Sequence, residues 1–306
     1  MPHSTGKTVE WLGAAEGDPA ALGGKAASLD RLAKLGFRVP PGFCLTTHAF
    51  EAQVRAVASQ LPVGPDGERF GAERWDGGGL AEALEASPLI DEIAQPLAEA
   101  VRRLTGTASP DRAQPTFAVR SSAIGEDGSA SSYAGLHETE LGVAGADVEV
   151  SVRRCWASLW SAPALAYRSR RGLSTDRVAM AVVVQELVPA DAAAVAFTRH
   201  PVTGRTDQLV ITAVRGLGDA MVAGTVTPDT FVIARDSLAV LEYAPGDGTL
   251  TPAIDDPAVR ALAALCLDVE SKFGAAVDVE AAITGGEWYL LQARPITTNA
   301  PAAASR

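Results

Sequence analysis

Three groups of residues in this 306-residue chain have the types and spacing to handle a polyphosphate. In the first group, Arg120 ends an apolar run, Phe117-Ala118-Val119, and is followed by a stretch of Ser, Gly, Ala, Asp and Glu reaching Tyr133. Ser121, Ser122, Ser129, Ser131 and Ser132 add hydroxyl donors there, and Gly125, Gly128 and Gly135 let backbone N–H groups approach an anion closely. A cation followed by a donor-rich open loop is what a polyphosphate needs. The same composition also fits a long solvated surface loop. The second group is Gly23-Gly24-Lys25, placed at the start of a helix whose apolar positions Ala26, Leu29, Leu32, Ala33 and Leu35 keep helical spacing. Lysine is scarce, with only four in the chain, and the helix dipole disfavours a cation in a first turn. Lys25 is thus either a phosphate contact or an ordinary exposed lysine.

The third group closes the chain. Residues 276–282 alternate so that Asp278 and Glu280 share one face of a strand, and Gln292 and Arg294 share a face of the strand that returns after Gly285-Gly286. A carboxylate and an amide oxygen can hold Mg²⁺ on phosphates, with an arginine neutralising the same charge. Upstream, 178–188 reads as a buried strand ending in Gln185-Glu186 before Pro189. That strand end is either plain or a hinge whose backbone reads an adenine edge.

The elements that must position these groups follow from periodicity. Helices are expected over 48–60, 80–104, 149–171 and 258–273, and Gly36 is expected to cap the helix that follows Lys25. In 149–171 the stripe Val152, Cys155, Trp156, Leu159 and Trp160 reads as core. Strands are expected at 44–47, 193–198, 208–213, 231–234 and 239–243, with a loop over 65–79. Composition bounds the rest. At 47% hydrophobic the chain is globular and long enough for two domains. A net charge of −11 with no basic run argues against a nucleic-acid partner. Cys44, Cys155 and Cys266 are too few and too far apart for a disulfide framework or a metal site. No apolar run is long enough to span a bilayer and the first residues are polar, so the expected location is cytoplasmic, with no membrane partner.

Taken in order, these segments resemble the ATP-binding domain of the PEP synthase and pyruvate phosphate dikinase family, which includes rifampin phosphotransferase. The resemblance rests on Gly23-Gly24-Lys25, Val39-Pro40-Pro41-Gly42-Phe43, Val119-Arg120-Ser121-Ser122-Ala123 and Tyr133-Ala134-Gly135. It continues through Cys155-Trp156-Ala157-Ser158-Leu159, Gly216-Leu217-Gly218, Val226-Thr227-Pro228-Asp229 and Leu291-Gln292-Ala293-Arg294-Pro295-Ile296. It implies an α+β ATP-grasp fold with ATP clamped between two lobes, here 1–184 and 185–298, followed by a flexible tail, 299–306. It further implies that Lys25, Arg120 and Arg294 contact phosphates, helped by Ser121 and Gly135. Gln185 and Glu186, with the backbone of Leu187 and Val188, would hold the adenine, and Glu280 and Gln292 would carry Mg²⁺. In such enzymes ATP phosphorylates a histidine on a swivelling domain, which implies a partner chain or further domain for this one. The alternative is a stand-alone enzyme that activates a small acceptor directly. The sequence departs from the family pattern at His200, where the family's Phe-Thr-x-Asp-Pro turn has Asp, at Leu136, where it has Gln, and at Ala281, where it has Trp. None of the four histidines, His3, His48, His137 and His200, sits in the family's carrier context.

Overall fold

The computed structural model describes residues 6–16, 19–61, 79–106, 114–124, 139–171, 178–247 and 251–296. In chain order the elements are β1 (Val9–Trp11), α1 (Pro19–Lys34), β2 (Gly42–Leu45), α2 (Thr47–Ala58), α3 (Leu80–Ala86), α4 (Asp91–Gly106), β3 (Phe117–Ala123) and β4 (Thr139–Val143). They continue with α5 (Val148–Ala157), α6 (Ala162–Arg171), β5 (Met180–Glu186), β6 (Ala192–Phe197), β7 (Gln208–Arg215), α7 (Asp219–Val222), β8 (Asp229–Ala234), β9 (Val240–Ala244), α8 (Asp256–Phe273), β10 (Val277–Thr284) and β11 (Glu287–Pro295). The strands form two antiparallel sheets, ordered β1-β2-β5-β3-β4 and β11-β10-β6-β7-β8-β9. The fold mixes helix and sheet.

The chain divides into two compact units, Met1–Asp30 with Pro41–Leu187, and Arg31–Pro40 with Val188–Arg306. The division falls after Leu187, where the sequence reading put it before Gln185, and it gives the second unit a segment the sequence reading left in the first. The expected tail, 299–306, lies outside the described residues.

In the first unit the five-stranded sheet buries Phe43, Leu45, Phe117, Val119, Met180, Val182 and Val184 on one face. Each such side chain contributes about 1.5–3 kcal/mol when taken from water. Phe50 of α2 packs edge-on to Trp156 and stacks on Trp160, so both tryptophans are core, as their spacing suggested. The first half of α1 lies on the other face, where the Ser122 hydroxyl donates to Leu22 O and accepts from Ala26 N.

Two long helices expected from periodicity are broken. The break between α3 and α4 contains Pro88, and its backbone is satisfied by neighbouring side chains. Gln53 donates to Pro88 O and accepts from Ile90 N, and Glu149 accepts from Leu89 N. Between α5 and α6, residues Ser158–Trp160 form a 3₁₀ turn. Pro163 has no N–H to donate and lies in the first turn of the new helix, where none is needed.

In the second unit α8 covers one face of the six-stranded sheet with Val259, Leu262, Ala263, Cys266 and Val269. Its N-terminus is capped by Asp255, which accepts from Ala258 N, and Gly274 closes its end at φ 73°. The segment Arg31–Pro40 is tied to this unit. Gly36 N bonds Ala33 O and Phe37 N bonds Leu32 O, the paired bonds of a glycine-terminated helix, with Gly36 at φ 84°. Beyond that cap Leu290 N donates to Arg38 O, Arg31 stacks on Phe273, and Lys272 lies over Phe37. Asp229, buried, is a hub for the loop after β9. It accepts from Tyr243 OH, Gly246 N and Ala253 N at 3.1, 2.9 and 2.6 Å.

Candidate functional site

The β10–β11 hairpin gives the most defined constellation. Gly285 and Gly286 form its two-residue turn, both at positive φ (56° and 81°), which glycine adopts without strain. The register sets Glu280 directly opposite Gln292, and Asp278 directly opposite Arg294. On β10 the core takes Val277, Val279 and Ala281, leaving Asp278 and Glu280 on the other face. On β11 the core takes Trp288, Leu290 and Ala293, a pattern that breaks strict alternation. A bulge explains it. Leu291 has no partner in the register, since Glu280 pairs with Gln292 and Ala281 with Leu290. The extra residue turns Gln292 and Arg294 onto the face of Glu280 and Asp278. Four polar side chains therefore share one sheet face, bordered on β6 by Phe197 opposite Asp278 and Val195 opposite Glu280.

Asp278 is a residue the sequence placed on this face but gave no role. Its Oδ2 accepts from Arg294 Nε at 2.8 Å, and the residue is 7% exposed. Burial pushes its carboxyl above the ordinary value, Arg294 pulls it back in part, and the charge of Glu280 adds to the rise. A raised folded value means that the folded state binds the proton more tightly. The stability this provides is complete below the ordinary value of 3.8 and is lost as pH rises through the folded value. Asp278→Asn carries no such dependence. Relative to that variant, the parent should lose stability in urea denaturation as pH is raised from 3.8 towards neutrality. The opposite trend would mean that Arg294 outweighs burial.

The first unit carries the other groups. The strand holding Arg120 does not end there but runs on to Ala123, and Arg120, Ser121 and Ser122 pair with Val183, Val182 and Ala181 of β5. Arg120 and Ser122 alternate away from the core with Gln185, onto the face covered by α1. Ser121 alternates to the core face, and its buried hydroxyl has no hydrogen-bond partner among the described residues. The helix before Lys25 starts earlier than expected, but Gly23 breaks it at φ 69°, ψ 175°, so Lys25 lies in the first turn after the kink. The Ser122 hydroxyl fixes that turn through Leu22 and Ala26. Lys25 follows the turn that the Ser122 hydroxyl fixes, Arg120 lies two residues before Ser122 on the same strand, and both are half-buried.

Gln185 is buried at 2% exposure and pairs across the sheet with Gly42 and Ala118. Glu186 and Leu187 are half-buried, and Val188 is the first residue of the second unit. Glu186 N donates to Pro41 O and Leu187 N to Thr116 O, so both of these backbone donors are already used. Gly135, with the glycine- and serine-rich stretch 125–138, lies outside the described residues. Sequence reasoning missed Ser122 as the anchor of the kink and Leu291 as the bulge. A hydroxyl beside Arg120 and an odd spacing between Leu290 and Ala293 were the available signals.

The cysteines are structural. The three cysteines are buried, and burial raises the thiols of Cys44 and Cys266, leaving them unreactive. Among the described residues no cluster of three His, Cys, Asp or Glu could hold a metal, and no helix is long and apolar enough to cross a membrane.

Comparison with known proteins places the chain. The family described as "Pyruvate phosphate dikinase, AMP/ATP-binding domain" matches residues 19–250, and so ends before β10 and β11. Individual relatives align further. The "Probable phosphoenolpyruvate synthase" of Methanocaldococcus jannaschii is 32% identical over 324 residues, covering 95% of this chain and 27% of that protein. The "Rifampicin phosphotransferase" of a Streptomyces species is 36% identical, covering 92% of this chain and 35% of that protein. The "Prodigiosin synthesizing transferase PigC" of Serratia marcescens is 34% identical, covering 95% and 33%. The chain spans about a third or less of the length of these relatives. On the extent of the family match, the chain belongs to the pyruvate phosphate dikinase AMP/ATP-binding domain family.

Proposed function

We propose that this chain is the Mg²⁺-ATP-using part of a phosphotransferase, with an ATP-grasp fold, and that it phosphorylates a histidine on a separate swivelling domain or partner chain. The observation that carries the reading is the register of the hairpin, which pairs Glu280 with Gln292 and Asp278 with Arg294 on one face. An oxygen-only pair, one carboxylate and one amide, suits a hard divalent cation that takes its remaining ligands from phosphates and water. Glu280 and Gln292 would hold Mg²⁺, which when bound neutralises charge on the polyphosphate.

The chain's own residues do the positioning. Lys25, next to the turn held by the Ser122 bonds, and Arg120, on the strand that carries Ser122, each add a cation for phosphate oxygens. Arg offers a planar fork and Lys a point charge, so the two are not interchangeable. Arg294, oriented by Asp278, supplies a third cation. Gln185 and Glu186, with the backbone of Leu187 and Val188, hold the adenine, and Gly135 is a further phosphate contact by the family likeness. Ser121, expected to join it, is buried on the core face of its strand and is not placed to do so. The histidine acceptor on another domain or chain is the part of the reading that rests on the family resemblance, and the length of these relatives, about three times that of this chain, leaves room for it. It is also consistent with His200, whose ring accepts two backbone N–H bonds of its own turn, a poor arrangement for a carrier that must swing between sites.

Lys25→Ala separates phosphate from base recognition. It should weaken ATP binding and turnover about tenfold or more while leaving adenosine affinity nearly unchanged, because the base is held elsewhere. Titration calorimetry with both ligands reads this directly. Equal losses for adenosine and ATP would reject a phosphate role for Lys25.

A further inference from the structure

His200 occupies the turn from β6 to β7 where the family pattern has Asp, and its bonding shows what the replacement does. His200 N donates to Arg205 O, and Gly204 N donates back to His200 O. Within that frame His200 Nδ1 accepts from Val202 N at 3.2 Å and from Thr203 N at 3.3 Å. Pro201 has no N–H, so these are the first two donors the chain offers after the ring. An aspartate carboxylate would accept the same two bonds, as Asp does in turns. The imidazole does so only while Nδ1 keeps its lone pair, with the ring proton on Nε2.

We infer that His200 is a pH-sensitive latch on this turn, closed while the imidazole is neutral and released when it is protonated. Protonation puts an N–H where two other N–H groups already point, turning two attractions into repulsions. Little packing opposes the opening, since Val202 is 80% exposed and Pro201, Thr203 and Arg205 are exposed as well. The charged groups nearest the turn are Arg199, Arg205 and Asp207, with Arg235, Glu270 and Asp278 on the elements bonded to it; further along, β10 carries Glu280 and β7 carries Arg215. Arg205 is paired with Asp207 at 2.6 Å, Arg235 with Glu270, and Asp278 with Arg294. The turn is joined to the strand that carries the candidate metal ligand. Thr198 N donates to Val277 O, Val277 N donates to Thr198 Oγ1 at 2.8 Å, and Arg235 holds Thr198 O. Release would therefore loosen the end of β6 beside the first residue of β10. This inference is independent of the nucleotide reading.

Nuclear magnetic resonance on the intact protein tests it at pH 7.5 and 5.5. At pH 7.5 the ring-nitrogen shifts of His200 should report the Nε2–H form. On going to pH 5.5 the amide protection factors of Val202 and Thr203, corrected for intrinsic exchange, should fall about tenfold, the scale of one or two lost hydrogen bonds. His200→Asp keeps an acceptor that stays ionised throughout, and should show equal protection at both values. Equal protection in the parent at both pH values would overturn the inference. So would a drop in His200→Asp as large as in the parent.

Discussion

Glu280→Ala should lower ATP-dependent phosphoryl transfer by about a hundredfold or more at limiting Mg²⁺, with little change in stability. The first half follows from the chemistry of the pair. Gln292 alone offers one neutral oxygen, and losing the carboxylate removes both a ligand and the charge that balances the cation. Removal of one preorganised electrostatic group at a reacting centre typically slows turnover by about 10²–10³. The second half follows from the sheet. Glu280 lies on the face away from the core, so its truncation opens no cavity among Val279, Ala281 and Leu290. Its charge also disfavours the ionised form of Asp278, so its loss relieves that repulsion. The urea midpoint should shift by less than about 1 kcal/mol equivalent, as for substitutions outside a core. Glu280→Gln, which keeps the shape and one oxygen, should fall between parent and alanine variant. Turnover equal to the parent at low Mg²⁺ would remove Glu280 from the metal site.

Gly23→Ala should be the most destabilising single-methyl change in the first unit, at about 3 kcal/mol or more by urea denaturation. Two penalties act together. The residue sits at φ 69°, ψ 175°, a region only glycine occupies comfortably. An added Cβ would also lie 2.1 Å from the carbonyl oxygen of Ser122 and 2.6 Å from its carbonyl carbon. Both are backbone atoms of β3, held by pairing with β5, so neither can step aside. Relief must come from α1, and moving α1 breaks the Ser122 bonds to Leu22 and Ala26 and carries Lys25 with it. Gly36→Ala is the control. It has a similar φ of 84° but nothing within 4 Å of the added Cβ, so it should cost only about 1 kcal/mol. Equal effects of the two substitutions would show that the close approach at Gly23 does not matter.

These two sites also show what the sequence makes legible and why. The hairpin was readable because Gly-Gly between two alternating strands is a strong local signal, and the shared faces of Asp278 with Glu280 and Gln292 with Arg294 followed. That the two faces coincide was not readable, since it depends on the bulge at Leu291. That a helical turn begins at Lys25 was legible from the paired glycines, but the helix before Gly23 was not, and neither was the anchor of the kink, because Ser122 lies about a hundred residues away. Arg120 looked like a strand end because Ser121 and Ser122 are polar, yet pairing with Val182 and Ala181 overrides that composition. Residues 80–104 and 149–171 kept helical spacing across breaks fixed by Pro88 and Pro163, where tertiary bonds from Gln53 and Glu149 satisfy the first interruption. The assignment of Arg31–Pro40 to the second unit rests on Leu290 and Lys272, more than two hundred residues downstream, and no local pattern announces it.

The central claim is that this chain uses Mg²⁺-ATP to place a phosphoryl group on a histidine outside itself. The direct measurement uses ATP radiolabelled at its β- and γ-phosphates, incubated with this protein and a separately purified candidate acceptor domain that carries a histidine. The two polypeptides are then separated and treated with mild acid. The account predicts acid-labile label on the histidine domain, dependent on Mg²⁺ and lost with Glu280→Ala. Stable accumulation of label on this chain alone, with no second polypeptide or small acceptor present, would contradict it.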